Sequence, residues 1–93
     1  MKRASPTPDD LAPPADLPAP ARVLDTSGTL CPFPIVETAR AVKALGPGEV
    51  VCVIATDPGV RTDMPMWCKA TRNEHLGTFR EGAVFRSWVR KRR

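Results

Sequence analysis

The chain has 93 residues, with 14 Lys or Arg against 10 Asp or Glu, a formal net charge of +4 and 42% hydrophobic residues. That length holds one domain and excludes a large multi-layer enzyme with an enclosed active site, so any chemistry must sit on an exposed rim. No apolar run approaches the ~20 residues of a membrane span, the basic start Met1-Lys2-Arg3 leads into no apolar stretch and is not read as a secretory signal, and three cysteines without an export signal point to a reducing, cytoplasmic setting rather than a disulfide framework.

Six of the 11 prolines fall in the first twenty residues, among Ala, Asp, Ser and Thr. Such a segment cannot bury enough apolar surface to offset its ordering entropy. Residues 1–21 are therefore expected to form a disordered Pro/Ala-rich tail, a solvated extension rather than a docking peptide, and residues 22–93 the folded domain. Residues 1–22 are neutral, with Lys2, Arg3 and Arg22 against Asp9, Asp10 and Asp16, so the positive excess belongs to the remaining 71 residues.

Val23-Leu24-Asp25 reads as a brief first strand, closed by the turn signal Thr26-Ser27-Gly28. After Cys31-Pro32-Phe33-Pro34, the apolar residues Ile35, Ala39, Val42 and Leu45 recur at helical spacing, with Glu37, Arg40 and Lys43 on the other side. Gly46-Pro47-Gly48 stops that helix. Val50-Val51-Cys52-Val53-Ile54-Ala55 is apolar on both faces and reads as a central strand. Pro65 suits a first helical position, so a second helix is expected to start there and run to about Arg72 or Asn73. His75 to Arg80 and Ala83 to Arg90 read as two strands joined at Glu81-Gly82. The order β-α-β-α-β-β predicts an α/β fold, a two-layer sandwich with two helices on one face of a four-stranded mixed sheet.

If the first two strands are parallel with a helical crossover, both helices start at the carboxyl ends of strands. Cys31 then shares a rim with the segment from Asp57 to Met64, and Cys68, in the first turn of a helix starting at Pro65, lies near it. The single histidine, His75, falls on the opposite rim, ~12–17 Å away along a helix of eight to eleven residues. A general base must approach within ~3 Å, so no Cys–His pair is expected.

Two readings of Cys31 stand. One is a reactive thiol activated by a helix N-terminus, whose unpaired N–H groups favour the anion. The other is a small buried residue at a strand-to-helix turn. On the first reading the thiol pKa is expected to be modestly lowered, with Arg61 as a second, salt-sensitive electrostatic contribution. Pro32 and Pro34 stiffen the turn and restrict Cys31 and Phe33 to extended backbone. Cys52 reads as core, and Cys68 as a partly buried helix residue before a resolving thiol. The Cys and His spacing matches no metal site, and no phosphate-binding glycine motif is present.

Leu24-Asp25, Gly28 and Cys31-Pro32-Phe33-Pro34 resemble the L-D-x-x-G-x-x-C-P-x-P of the small sulfur carrier proteins of the TusA (SirA-like) type. Pro47-Gly48-Glu49, Thr56-Asp57-Pro58 and Asp63-Met64-Pro65-Met66-Trp67-Cys68 are similar to that family's further blocks, in the same order, so the resemblance spans about residues 23–91. His75 directly precedes Leu76, where the family often has His-x-Leu. The resemblance implies the sandwich shared with the C-terminal domain of translation initiation factor three. It implies a sulfurtransferase whose Cys31 accepts a sulfane sulfur as a persulfide from a cysteine desulfurase or rhodanese-like donor protein. That sulfur would pass to an acceptor protein serving tRNA thiolation, molybdenum-cofactor maturation or sulfur oxidation. Pro32 and Pro34 would position the thiol, and Asp25 and Gly28 would shape the approach turn. No cofactor, metal or base is required, and a monomer is expected.

A small basic RNA-binding module is the main alternative. Arg86, Arg90, Lys91, Arg92 and Arg93 put five basic residues in the last eight. Direct nucleic-acid binding is not expected, however, because aromatic residues are few and no stacking platform is visible. A redox-regulatory module using Cys31 and Cys68 lacks the C-x-x-C spacing.

Overall fold

The β-branched run at the chain's centre forms the strand on which everything else is ordered. In the computed structural model, which describes residues 17–92, it is β2 (Val50–Ala55), flanked by β1 (Arg22–Asp25) and β4 (Val84–Arg90), with β3 (Glu74–Glu81) at the far edge in the order β1-β2-β4-β3. β1 runs parallel to β2, whereas β4 is antiparallel to both β2 and β3. Helix α1 (Phe33–Ala44) makes the crossover between the parallel strands, and α2 (Val60–Thr71) connects β2 to β3. The expected β-α-β-α-β-β sandwich with its mixed sheet is the observed fold.

Alternation along β2 separates two apolar clusters. Val51, Val53 and Ala55 face the helices, where they join Ala41, Val42, Leu45, Val60, Met64, Cys68, Phe85 and Val89 in the main core. Val50 and Cys52 point to the other face, where they pack with Trp88, Phe79, Leu76 and Leu17. Cys52 is therefore core, as its sequence context suggested, but on the helix-free side of the sheet. Among the described residues the buried polar side chains are Thr26, Thr38, Thr78 and Ser87. They are satisfied by hydrogen bonds: Thr38 to the Pro34 carbonyl, Thr78 with Ser87, and Thr26 to the Ile54 carbonyl.

Three expectations need correction. The α1 face is rotated slightly, since Pro34, Thr38, Ala41 and Val42 are its buried residues while Ile35 and Ala39 are half-buried. That helix starts at Phe33, so the following proline does not hold Phe33 extended. The second helix starts five residues before Pro65, which lies inside it. The physical reason is the turn at Asp57. Val60, Arg61 and Thr62 donate N–H bonds to the carbonyls of Asp57, Pro58 and Gly59, winding a tight first turn before the proline is reached.

The expected tail over residues 1–21 lies outside the described residues up to position 16. Of the remainder, Leu17 is half-buried on the Val50–Cys52–Trp88 cluster, and the Ala21 N–H bonds the Val50 carbonyl at 2.7 Å. The segment directly before β1 thus covers part of the sheet face that has no helix. Leu17→Ala should lower folding stability by about 1 kcal/mol, the scale of partial burial of one aliphatic side chain. Urea denaturation of the two proteins measures it, and an unchanged midpoint would show that this segment adds nothing to the core.

Candidate functional site

The parallel pairing of β1 and β2 places both of their carboxyl ends on one rim, and the loops that leave them are stitched together. The Thr26 N–H and hydroxyl both bond the Ile54 carbonyl. The Gly28 N–H donates to Thr56 Oγ1 at 2.9 Å, with Gly28 at φ 81°, a conformation that L side chains rarely adopt. Asp25 accepts the Ser27 N–H, which holds its carboxyl below the usual carboxylate range, chiefly through the Ser27 side chain and then its backbone. These contacts set the course of residues 26–30 toward Cys31.

Cys31 is exposed at the end of that loop, which removes the reading of it as a small buried residue. Pro32 is the N-cap of α1 and exposed, whereas Pro34 is buried in its first turn. Two carboxylates meet Cys31. Its backbone N–H donates to Asp57 Oδ2, and its thiol Sγ–H donates to Asp63 Oδ2. Asp57 is in the loop after β2 and uses its other oxygen to accept the Gly59 N–H at 3.0 Å. Asp63 is in the first turn of α2. Had α2 begun at Pro65, Asp63 would have been a loop residue, so the earlier start of the helix brings this carboxylate to the thiol.

The expected lowering of the Cys31 pKa is overturned. The thiol is pushed up, first by the hydrogen bond to Asp63, then by desolvation and by the negative charges of Asp63 and Asp57. At the N-terminus of α1 the first N–H groups are bonded to carbonyls rather than to the thiol. Phe33 donates to the Leu30 carbonyl, Ile35 and Val36 donate to the Pro32 carbonyl, and Pro34 has no N–H. Arg61, expected to act on the thiol, lies with its guanidinium over the Phe85 ring, 5.9 Å from the centroid. Cys31 is met by two carboxylates from the segment expected on its rim, Asp57 on its N–H and Asp63 on its thiol, a contact that the sequence did not foretell.

The other candidates lie elsewhere. Cys68 is five residues beyond Asp63, ~7.5 Å further along α2, and is buried in the main core, not on the Cys31 rim. Burial pushes its thiol up to about 11. His75 pairs with Val89, which pairs with Val51 near the start of β2, so it sits at the end of the sheet opposite Cys31. Its ring bonds Thr78 at 2.8 Å.

The basic C-terminal run is largely used inside the fold. Arg86 pairs with Glu81 and Arg90 with Glu74, each at 3.2 Å. Lys91 Nζ donates to the Leu45 carbonyl at 2.7 Å, at the end of α1 where a cation is favourable. Arg92 is exposed, and Arg93 is outside the described residues. The run is therefore not a continuous cationic surface of the kind a phosphate backbone needs, which weakens the RNA-binding reading. Exposed apolar side chains cluster instead along the segments beside Cys31: Leu30, Phe33 and Val36 in sequence around it, and Met66 one turn beyond Asp63. Among the described residues there is no helix long and apolar enough to cross a membrane and no cluster of three or more potential metal ligands.

Comparison with known proteins gives a consistent family. Residues 22–91 match the family described as Sulfurtransferase TusA. The Bacillus subtilis protein YrkF is 46% identical over 69 residues, which cover 74% of this chain but only 37% of that longer relative. The sulfur carrier protein TusA of Allochromatium vinosum is 40% identical over 68 residues, covering 73% of this chain and 90% of the relative. The solved structure of a SirA-like protein from Desulfitobacterium hafniense superposes with a TM-score of 0.68, covering 77% of this chain and 99% of that one at 19% identity, and supports the fold.

Two outcomes are expected from the site geometry. Iodoacetamide applied to the native protein should label Cys31 and leave Cys52 and Cys68 largely intact, because both are buried and burial raises both thiols. Peptide mapping reads this, and fast labelling of Cys68 would contradict its place in the core. Asp57 is held below its usual value of 3.8 by the N–H groups of Gly59 and Cys31. Its stabilisation is therefore complete above that value and is lost as pH falls through the lower folded one. Asp57→Asn should remove this part of the acid-induced loss, which urea midpoints measured across the acid range would show as a flatter dependence on pH.

Proposed function

The chain belongs to the TusA sulfurtransferase family, and on that premise we propose that Cys31 carries sulfane sulfur as a persulfide between a donor protein and an acceptor protein. The observation that carries this reading is an exposed thiol at the first position of Cys-Pro-Phe-Pro, on the one rim where both helices begin. A carrier must offer its sulfur to two partners in turn, and an open rim lets each approach without a lid having to move. The exposed Leu30, Phe33 and Met66 give such partners an apolar surface to cover.

Roles then follow for the neighbouring residues. Pro32 and Pro34 set the direction of the chain at the thiol, one as helix cap and the other anchored in the core. Asp25 and Gly28 shape the loop that leads to it. Arg61 holds its guanidinium over the Phe85 ring at the base of α2. The donor is a cysteine desulfurase or a rhodanese-like protein. The acceptor belongs to tRNA thiolation, molybdenum-cofactor maturation or sulfur oxidation. A family match over residues 22–91 supports the domain assignment 22–93, to which the packing of Leu17 and the Ala21 bond add a short stretch before residue 22.

Incubation with a cysteine desulfurase and cysteine, followed by mass spectrometry, tests the chemistry. A gain of one sulfur atom confined to the Cys31 peptide is expected, abolished in Cys31→Ser and retained in Cys68→Ser. Sulfur on Cys68, or uptake that survives Cys31→Ser, would sink the assignment.

A further inference from the structure

The hydrogen bond from the Cys31 thiol to Asp63 presents a difficulty for sulfur transfer. The thiolate is the attacking species, yet the carboxylate that receives the S–H bond and its neighbour Asp57 both raise the thiol pKa. At neutral pH the resting group is therefore the thiol, and the proton must leave as the S–S bond forms. Its acceptor is already in hydrogen-bond contact. Resting on the persulfide reading above, we propose that Asp63 is the general base that takes the Cys31 proton during sulfur loading and returns it during discharge.

The step balances without any other reagent. Cys31 Sγ attacks the terminal sulfur of the donor persulfide, and a new S–S bond forms as the donor's own S–S bond breaks. The bonding pair leaves on the donor cysteine as a thiolate, and the Cys31 proton passes to Asp63 Oδ2. The products are a Cys31 persulfide, a donor thiolate and a protonated Asp63, with the overall charge unchanged. In discharge an acceptor thiolate attacks the terminal sulfur, the Cys31 Sγ leaves, and Asp63 gives the proton back. No electrons enter or leave the exchange.

Placement supports this role over an incidental surface contact. Asp63 is fixed in the first turn of α2, between the buried Val60 and Met64 that anchor that helix in the core. Cys31 is fixed from the other side by its N–H bond to Asp57, which also holds the start of α2 through Gly59. Thiol and base are thus set against each other by a shared clamp. His75, the single histidine, is at the opposite end of the sheet. The charged groups that bear on the thiol are Asp63 from α2 and Asp57 from the loop after β2, both negative.

The experiment separates a base from a group that merely keeps the thiol protonated. Wild type, Asp63→Asn and Asp63→Glu are compared by two measurements on the full chain. The first is the Cys31 thiol titration by ultraviolet thiolate absorbance, with Cys31→Ser as the blank. The second is single-turnover loading from glutathione persulfide, a small donor that needs no protein docking, followed by mass spectrometry across pH. Asp63→Asn is expected to lower the thiol pKa, and yet to slow loading near neutrality by at least tenfold, at the low end of or below the 10²–10⁴ typical of a general base. Its loading should also climb with pH more steeply than the wild type's, and Asp63→Glu should restore part of the rate. If Asp63→Asn instead loads faster, in step with its larger thiolate fraction, Asp63 is a brake and the proposal is overturned. Unslowed loading in that variant overturns it too. Wild-type protein that takes up no sulfur at Cys31 would be a different failure, that of the persulfide reading itself.

Discussion

The position of the Cys31 thiol depends on one carboxylate with two bonds. Asp57 leaves the end of β2 and accepts the Cys31 N–H on one oxygen and the Gly59 N–H on the other. The first bond holds the loop that comes from β1, and the second starts α2. One side chain, in the loop just after the most buried strand, thus ties Cys31 to the start of α2, which Val60 and Met64 anchor in the core. Both donors are backbone groups that would otherwise need water, so the interaction answers the accounting that every N–H imposes. Remove it and the sheet has no evident reason to collapse, but the thiol loses its registration to Asp63.

That clamp explains why the helix terminus is not the activator. A helix start attracts an anion through N–H groups left without partners. In α1 the first turn is closed by bonds to Leu30 and Pro32 carbonyls, and a proline removes one donor altogether. Cys31 precedes the cap, and its own N–H is turned toward Asp57. The macrodipole argument fails for a local reason that only the bond pattern reveals. The same geometry puts the thiol beside negative charge, which makes it a stronger nucleophile once deprotonated and a weaker acid before.

Much of the fold was legible because it rests on period and punctuation. The run Val50–Ala55 is apolar on both faces and bounded by turn residues, and it could be little other than the central strand. From the strand order alone, the shared rim of Cys31 and the 57–64 segment followed, as did the remote place of His75. The register of α2 was not legible. Pro65 reads as a helix start, and its context gives no sign that an Asp-turn two residues after β2 will begin winding sooner. That five-residue error moved Cys68 from the rim into the core and hid Asp63 as a loop residue. Leu17 was missed for another reason: one leucine among prolines has no periodicity, and its role depends on a sheet face left uncovered by helices. The two carboxylates were present in the Asp57-Pro58 and Asp63-Met64-Pro65 segments, but only a fold could show that both turn toward one thiol.

A carrier thiol faces opposite demands in the two halves of its cycle, and on the proposed reading the pair Cys31–Asp63 bears on both. In loading, nucleophilicity rises with thiol pKa, so a raised value helps once the proton is gone. In discharge, the same sulfur must leave, and a higher pKa makes it a poorer leaving group. A thiol with lowered pKa would ease departure and lose attack strength, and a raised one left unassisted would be caught on the loading side. Proton exchange with an adjacent carboxylate relaxes that conflict, because Sγ need not attack from the thiol nor depart as a free thiolate. Such assistance is most useful on an exposed rim, where a partner supplies the walls of the site only while it is docked. On that reading the open rim keeps together the two groups that each partner requires, a sulfur and a place for its proton.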